Sequence, residues 1–377
     1  MNVVWRTFLQ FLYLGCVSFG GPAAHIAYFR KVFVEQKSWL SEQEFAANLA
    51  LCQFLPGPSS SQLGYAIACR RGGIAAGVAA FLGFTLPSFI LMYSLAVWQL
   101  DLAKGSLQYG VVSGLKLLAV AVVADAAWGM ANQFCRQPLS IALTLLSTAV
   151  LSWAMTPLWQ FSLMVLAAAS MAWRAGPTQT GASIATDFTL LICVTVFALL
   201  FTIAMVFPEA IFSIFYQAGS LVFGGGHVVL PLLEPLVGDA LSKDQFLLGY
   251  AAAQAMPGPM FSFSAYLGAA MRPDAALSYA IIATLAVFAP GFLLLSGFSG
   301  IWQQLSIRPR IVAAIAGVNA VAVGMLAAAW IDPVLTSAPH NGLALFLAVT
   351  GFIALRSKRV PILVIVAAFA LCGAAFY

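Results

Sequence analysis

Charged positions are sparse in this chain, and long uncharged stretches separate them. Phe188 to Phe207 carries no charge, Pro138 to Trp173 is uncharged over the length of two spans, and Ala275 to Ile307 and Ile311 to Ile331 are likewise bare. About 20 mainly apolar residues are enough for a helix to cross a bilayer. The pattern predicts crossing helices near 72–98, 105–133, 138–154 and 156–173, a lone helix at 188–207, and a second set near 274–300, 308–331, 338–355 and 360–376. Met155-Thr156-Pro157 reads as a tight turn.

Composition agrees with that reading. Only 8% of the 377 residues are charged, 62% are hydrophobic and the mean hydropathy is +0.97, whereas soluble domains carry about 25% charged residues. The net charge of +5 is scattered, and without a block of basic residues it points to orientation in a membrane, not to nucleic acid. The six cysteines show no C-x-x-C or metal-ligand spacing and read as small hydrophobes, so no cofactor or metal is expected. Arg6 followed by an apolar stretch looks like a signal peptide, but that stretch belongs to a repeat and is read as retained structure.

The chain repeats itself. Phe19-Gly20-Gly21-Pro22 with His25 returns as Phe223-Gly224-Gly225-Gly226-His227. Leu40-Ser41-x-x-x-Phe45 returns as Leu241-Ser242-x-x-x-Phe246, and Gln53-x-x-Pro56-Gly57-Pro58 as Gln254-x-x-Pro257-Gly258-Pro259. Pro87 matches Pro290 and Gly114 matches Gly317, so order and spacing persist over a hundred residues. The fold class expected is an all-α polytopic membrane protein with two inverted-topology repeats. Each repeat has two broken or re-entrant helices followed by four transmembrane helices, and one extra helix joins them. The divisions are 1–173, a linker and connecting helix at 174–207, and 208–377.

Inversion follows from parity, because one extra crossing between even-numbered halves turns the second upside down. If the broken elements are re-entrant hairpins, Lys and Arg divide 13 inside to 3 outside; if they cross, the division is 11 to 5. The positive-inside rule favours hairpins, and both arrangements put the N-terminus in the cytoplasm and the C-terminus in the periplasm.

Backbone breaks in hydrocarbon are costly and persist where protein or a watery cavity surrounds them. Gly20-Gly21 permits left-handed backbone, and Pro22 suits the first turn of a new helix. A helix that starts inside the membrane presents free N–H groups and about half a positive charge to an anion. Pro56-Gly57-Pro58 repeats the device, and Ser59, Ser60, Ser61 and Gln62 add three hydroxyls and an amide. The second copy, Pro259-Met260-Phe261-Ser262, is more apolar, so the first half is expected to supply more anion contacts. The competing reading is that Gly-Gly and Pro-Gly-Pro only kink helices for packing.

Charged and titratable candidates complete the set. His25 and Arg30 follow the first break within reach of a bound anion; the alternatives are a satisfied polar histidine and a loop anchor. Lys116 lies inside helix 105–133, where a bare ammonium costs at least roughly 2.5–3.5 kcal/mol. Asp125 shares nearly the same face about 13 Å away, and a carboxylate on another helix is the alternative partner. Asn319 replaces Lys116 in the repeat. Glu35, Glu42 and Glu44 read as solvated at the interface. His227, with Gly224 to Gly226 and Pro257 to Pro259, is the second half's weaker counterpart.

Phe19-Gly20-Gly21-Pro22-x-x-His25, Arg30, Trp39-Leu40-Ser41-x-x-Glu44-Phe45 and Pro56-Gly57-Pro58, with the second set behind them, resemble the signature of the chromate ion transporter family. The likeness covers nearly the whole chain; Phe29 and the triple serine depart from the usual pattern. It implies a multi-pass bacterial inner-membrane transporter that exports chromate, with sulfate as a structural mimic. The partners implied are a small oxyanion and the lipid bilayer, and a homodimer is kept as an option. A dianion leaving a negative interior gains about 4.6 kcal/mol per 100 mV, since each charge is worth about 2.3. No Walker A motif is present, so ATP hydrolysis by this chain is not expected. Proton or counter-ion coupling through His25, Glu35 or Asp125 is compatible with the pattern. The rival classes are an anion channel and a membrane enzyme on a phosphorylated lipid. The second lacks H-E-x-x-H and G-x-S-x-G.

Overall fold

The computed structural model describes residues 2–98, 106–176 and 188–377, and among these every regular element is helical. Most of the expected linker at 174–186, and Lys104, lie outside the described residues. Helix α1 (Val3–Val17) is followed by α2 (Gly21–Phe29), which runs on as a wider turn through Arg30–Gln36. Then come α3 (Glu42–Phe54), α4 (Ser59–Val97), α5 (Leu107–Phe134), α6 (Pro138–Trp153), α7 (Pro157–Arg174) and the connecting α8 (Phe188–Val206). The second series is α9 (Ile211–Leu221), α10 (Val229–Val237), α11 (Lys243–Ala255), α12 (Phe263–Met271) and α13 (Ala276–Phe298). It closes with the short α14 (Trp302–Ser306), α15 (Pro309–Ala329), α16 (Gly342–Ser357) and α17 (Ile362–Phe376).

Local chemistry explains the boundaries. α3 and α11 both open on a capping box, Ser41 with Glu44 and Ser242 with Gln245, in which hydroxyl and carboxyl or amide groups satisfy the free amides. α4 is interrupted at Gly72 and Gly73, the latter at φ +68°, dividing a short arm after Pro-Gly-Pro from the long span behind it. In the second half Arg272 and Pro273 separate α12 from α13 at the corresponding place.

Among the described residues, five helical stretches are long and apolar enough to cross a membrane: Ser59–Val97, Leu107–Phe134, Phe188–Val206, Pro273–Phe298 and Pro309–Leu335. α6, α16 and α17 hold 16, 16 and 15 residues. They therefore reach only about 24 Å where the hydrocarbon measures about 30 Å. Trp153 and Trp173, 83% and 88% exposed at the C-terminal ends of α6 and α7, suit the membrane–water interface, where indoles settle. Only Ala204 of α8 is fully buried; one side of the helix packs on α9 and α13, and the other, with Leu191, Leu199 and Val206, is exposed.

The halves interpenetrate. α5 of the first half packs on α16 and α17 of the second, while α15 packs on α6 and α7 of the first. Small residues allow it: a Cβ at Gly114 would stand 2.0 Å from the Phe369 carbonyl oxygen, and one at Gly317 would stand 2.4 Å from that of Ala167. Within each half α1 lies on α4 and α9 on α13; a Cβ at Gly15 would meet the Phe84 oxygen at 2.6 Å, and one at Gly219 the Val287 oxygen at 2.2 Å. Close backbone approach of this kind holds helices together where lipid removes the hydrophobic drive. Hydrogen bonds reinforce the exchange, from the Thr144 hydroxyl to the Ala320 oxygen at 2.9 Å and from the Trp330 indole to the Val120 oxygen at 3.0 Å. Such reciprocal contacts between equivalent elements are those of a two-fold relation.

Replacing Gly114 with alanine should force α5 and α17 apart and cost about 1–3 kcal/mol, as overpacking does. Gly129→Ala in the same helix, where nothing lies within 4 Å, should be neutral or stabilising. Thermal unfolding of the two detergent-solubilised variants measures the difference.

Candidate functional site

The two Gly-Gly breaks and the two Pro-Gly-Pro breaks meet at the junction of the halves. α1 ends at Ser18, Gly20 stands at φ +99°, and α2 begins with Pro22 in its first turn. α3 ends at Leu55, Gly57 stands at φ +116°, and α4 begins after Pro58. The second half breaks at Gly224 and Gly225 before a tight turn Gly226–Val228 that contains His227 and leads into α10. It breaks again at Pro257, Gly258 (φ +91°) and Pro259 before Met260–Ser262 and α12. A Cβ on Gly226 would lie 3.7 Å from Pro22 Cγ, so the two Gly-Gly breaks face each other.

Two backbone hydrogen bonds tie the breaks across the halves. The Gly57 N–H donates to the Val222 oxygen at 2.8 Å, and the Gly258 N–H donates to the Ser18 oxygen at 2.9 Å. Ser18 and Val222 each stand just before a Phe-Gly-Gly, so the middle glycine of each Pro-Gly-Pro pairs with the residue before the other half's Phe-Gly-Gly. The left-handed backbone at both glycines presents these amides and excludes a side chain: a Cβ at Gly258 would sit 3.0 Å from Ser88 Oγ, and one at Gly57 3.0 Å from Gly291 Cα.

Around this crossing lies a buried polar cluster. His25, 1% exposed, holds Nδ1 3.2 Å from Ser60 Oγ and sets its ring edge-on to Phe84 at 5.2 Å. Ser88 Oγ meets Ser262 Oγ at 2.6 Å. Gln62 donates from Nε2 to the oxygens of Pro56 and Gly291, both at 3.0 Å. Ser18 Oγ, His25 Nε2, Ser61 Oγ and Gln62 Oε1 are buried here without a hydrogen-bond partner, as is Asn319 Oδ1 beside Gly224 on the facing side. Neither α2 nor α4 has a side chain capping its start, and the first amides of a helix have no partner within it. Buried polar groups left open cost about 1–3 kcal/mol each. The first-turn amides and the Ser61 hydroxyl are donors at these helix starts, whereas Gln62 Oε1 is an acceptor.

The candidates from sequence separate into three groups. Gly20, Gly21, Pro22, His25, Pro56, Gly57, Pro58, Ser60, Ser61 and Gln62 gather at the crossing, with Ser59 half-buried beside them. Gly224, Gly225, Gly226, His227, Pro257, Gly258 and Pro259 form the facing side; there the His227 Nδ1 meets the Tyr250 hydroxyl at 3.0 Å, and buried Met260 and Phe261 keep it apolar. Arg30 is not part of this cluster. Its guanidinium is half exposed and paired with Glu35 at 2.5 Å and Glu42 at 2.8 Å, as a loop anchor would be. Glu44 pairs in the same layer with Arg70, and its hydrogen bonds from the Ser41 amide and hydroxyl hold its carboxyl below the usual range.

Lys116 is buried and paired, but not along its own helix. Its ammonium lies 2.6 Å from Asp244 in the first turn of α11, while Asp125 faces Arg356 at 3.7 Å. The carboxylate comes from another helix and from the other half. Ser18, Thr85, Ser88, Ser262 and Asp244 are additions that the sequence reading did not single out. Ser18 adjoins the first motif, a signal that was available; Asp244 stands where the first repeat has Gln43, so the repeat gave no hint of it.

The profile of the chromate transporter family matches residues 5–173 and 209–374. The chain belongs to the chromate transporter family. Both matched stretches contain a Gly-Gly and a Pro-Gly-Pro break, so the family's two copies are the two sides of the crossing. The chain is 26% identical to the chromate transport protein of Cupriavidus metallidurans, over 98% of this chain and 92% of that one. It is equally 26% identical to the chromate transport protein of Pseudomonas aeruginosa, over 98% and 91%. No solved structure matches the chain.

Removing Asp244 should do more harm than removing Lys116. Asp244→Ala strands a buried ammonium and should cost about 3 kcal/mol, while Lys116→Ala leaves a carboxylate that is 43% exposed and should cost about 1 kcal/mol. The double variant should recover most of the loss, as read in a double-mutant cycle of thermal stability.

Proposed function

We propose that this protein is a secondary transporter, not an enzyme, that exports chromate or a similar tetrahedral oxyanion across the bacterial inner membrane. The observation that carries the reading is the pair of uncapped helix starts, α2 and α4, beside unpartnered buried polar atoms of His25 and Ser61. Free amides, hydroxyls and two helix dipoles bind an oxyanion without a fixed countercharge. The names of the relatives narrow the anion to chromate. Sulfate has the same tetrahedral shape and stays within the proposed cargo class.

The halves are inverted in this proposal, with the N-terminus cytoplasmic and the C-terminus periplasmic. Reciprocal packing of α5 and α15, and a single α8 between the halves, support it. The crossing then sits near the midplane, where repeat-built transporters place their cargo. Outward movement follows the membrane potential, with His25 available for proton coupling. A homodimer would not add to the site, since both sides of the crossing come from one chain.

Uptake of chromate into inside-out vesicles, with and without an imposed potential, tests the reading. Potential-dependent, saturable uptake is expected; its absence from correctly folded protein would overturn it. Ser60→Ala with Ser61→Ala should raise KM about tenfold or more, the worth of charge-assisted hydrogen bonds. Met260→Ala with Phe261→Ala should change it less than threefold. Equal losses would refute an anion site built mainly from the first half.

A further inference from the structure

The two halves are built alike but are not covered alike. α5, α6 and α7 interlock with α15, α16 and α17, and this body rests on the arms of the second half: α5 and α17 on α11, α15 and α7 on α10. The repeat makes α2 and α3 the counterparts of α10 and α11, and α5 the counterpart of α15. Neither α5 on α2 nor α15 on α3 packs comparably. Exposure records the difference. Val228 to Leu233 and Phe246 to Ala253 are buried without a gap, whereas Ala23 and Ala27 of α2 and Ala46, Ala47 and Ala50 of α3 are exposed.

The same contrast runs through the breaks. A Cβ on Gly224 would stand 3.2 Å from Asn319 Oδ1 and 2.6 Å from Met130 Cε, so α15 and α5 cover the second Gly-Gly. Its counterpart Gly20 is exposed, and a Cβ on Gly21 would meet nothing within 4 Å. Asn319 is the repeat counterpart of Lys116, and Gln43 that of Asp244. Lys116 thus holds the position that touches a Gly-Gly break in the other copy, yet its ammonium lies 2.6 Å from Asp244. That pair is lopsided, with the Lys116 side chain 7% exposed and the Asp244 side chain 43%. Water can take over the carboxylate when the pair opens, but a buried ammonium must find another anion.

We infer that Lys116 is a mobile countercharge for the transported anion. The body formed by α5–α7 and α15–α17 shifts from the second half's arms to the first's, exchanging the roles of the two copies as inverted repeats allow. Asn319 then faces Gln43, and Lys116 leaves Asp244 for the uncovered Gly20-Gly21 break, where the anion sits at the start of α2. This rests on the proposed oxyanion site and inverted halves, and deepens that reading. The consequence is coupling of movement to cargo. Lys116 gives up Asp244 only where an oxyanion replaces it, so the empty protein returns to the present arrangement and rests there.

Purified full-length protein in proteoliposomes tests this. In the wild type, a membrane-permeant carbodiimide should condense the Lys116 ammonium with the Asp244 carboxylate to an amide, taking up the lost water as a urea, and peptide mass spectrometry reads the yield. Saturating chromate should at least halve that yield; a yield that chromate leaves unchanged, or no cross-link without chromate, overturns the inference. Lys116→Asn with Asp244→Gln installs the residues that the other half carries at these places. The double variant should regain most of the thermal stability that Asp244→Ala loses, while its kcat/KM for chromate falls about tenfold or more, the worth of a charge-assisted hydrogen bond. Should it fail to fold, the cross-link in the wild type decides. A stable double variant with wild-type flux would reduce the pair to packing and overturn the inference while leaving transport intact. No chromate flux in the wild type would instead defeat the transport reading.

Discussion

A broken helix in a bilayer needs partners for its peptide groups, and here each half takes them from the other. Water cannot reach such groups in hydrocarbon, so the amide of Gly57 bonds the oxygen of Val222 and the amide of Gly258 bonds that of Ser18. Everything else at the centre follows from these two bonds. They require glycine at both positions, since left-handed backbone aims the amides and no Cβ fits. They bring the Gly-Gly turn of one half beside the Pro-Gly-Pro turn of the other.

The polar cluster at that crossing is unequal in its two halves. On the first side, hydroxyls, an imidazole and an amide are buried, with Ser18 Oγ, His25 Nε2, Ser61 Oγ and Gln62 Oε1 unpartnered. On the second, Met260 and Phe261 fill the corresponding turn, and the His227 ring rests on the Tyr250 hydroxyl. Duplication supplied two equivalent frames, and divergence left one of them polar. The apolar side is not idle: excluding water raises the strength of every hydrogen bond made opposite it. The pairing of Lys116 with Asp244 has the same logic at a distance, since a buried ammonium in one half is tolerable only with a carboxylate held to it by the other.

Much of this was legible in the sequence because breaks are local. Gly20-Gly21-Pro22 and Pro56-Gly57-Pro58 mark their own positions through backbone chemistry, and uncharged runs mark the spans, so the helices fall within a few residues of expectation. Arg30 reads from the sequence as an anion contact, with a loop anchor as the alternative, and nothing in the spacing announces its pairing with Glu35 and Glu42. Partners across the halves were not legible either. Nothing in the spacing pairs Lys116 with Asp244, because the repeat carries Gln43 at that place and the nearer Asp125 competes for attention. Nor does hydropathy disclose that α5 packs on α16 and α17 instead of α6 and α7, since a membrane helix has no single wet face to reveal what it touches.

That exchange of helices also governs the order in which the molecule can assemble. Gly110 and Gly114 of α5 find their packing partner in Gly373 and Phe369, at the far end of the chain. The ribosome must therefore complete α17 before α5 can settle. Until then, a stripe of bare glycine backbone and the unneutralised Lys116 wait in the bilayer, where other small-residue helices could claim them. The first half, although α1 packs on α4 within it, therefore cannot complete the packing of α5 before the second half is made.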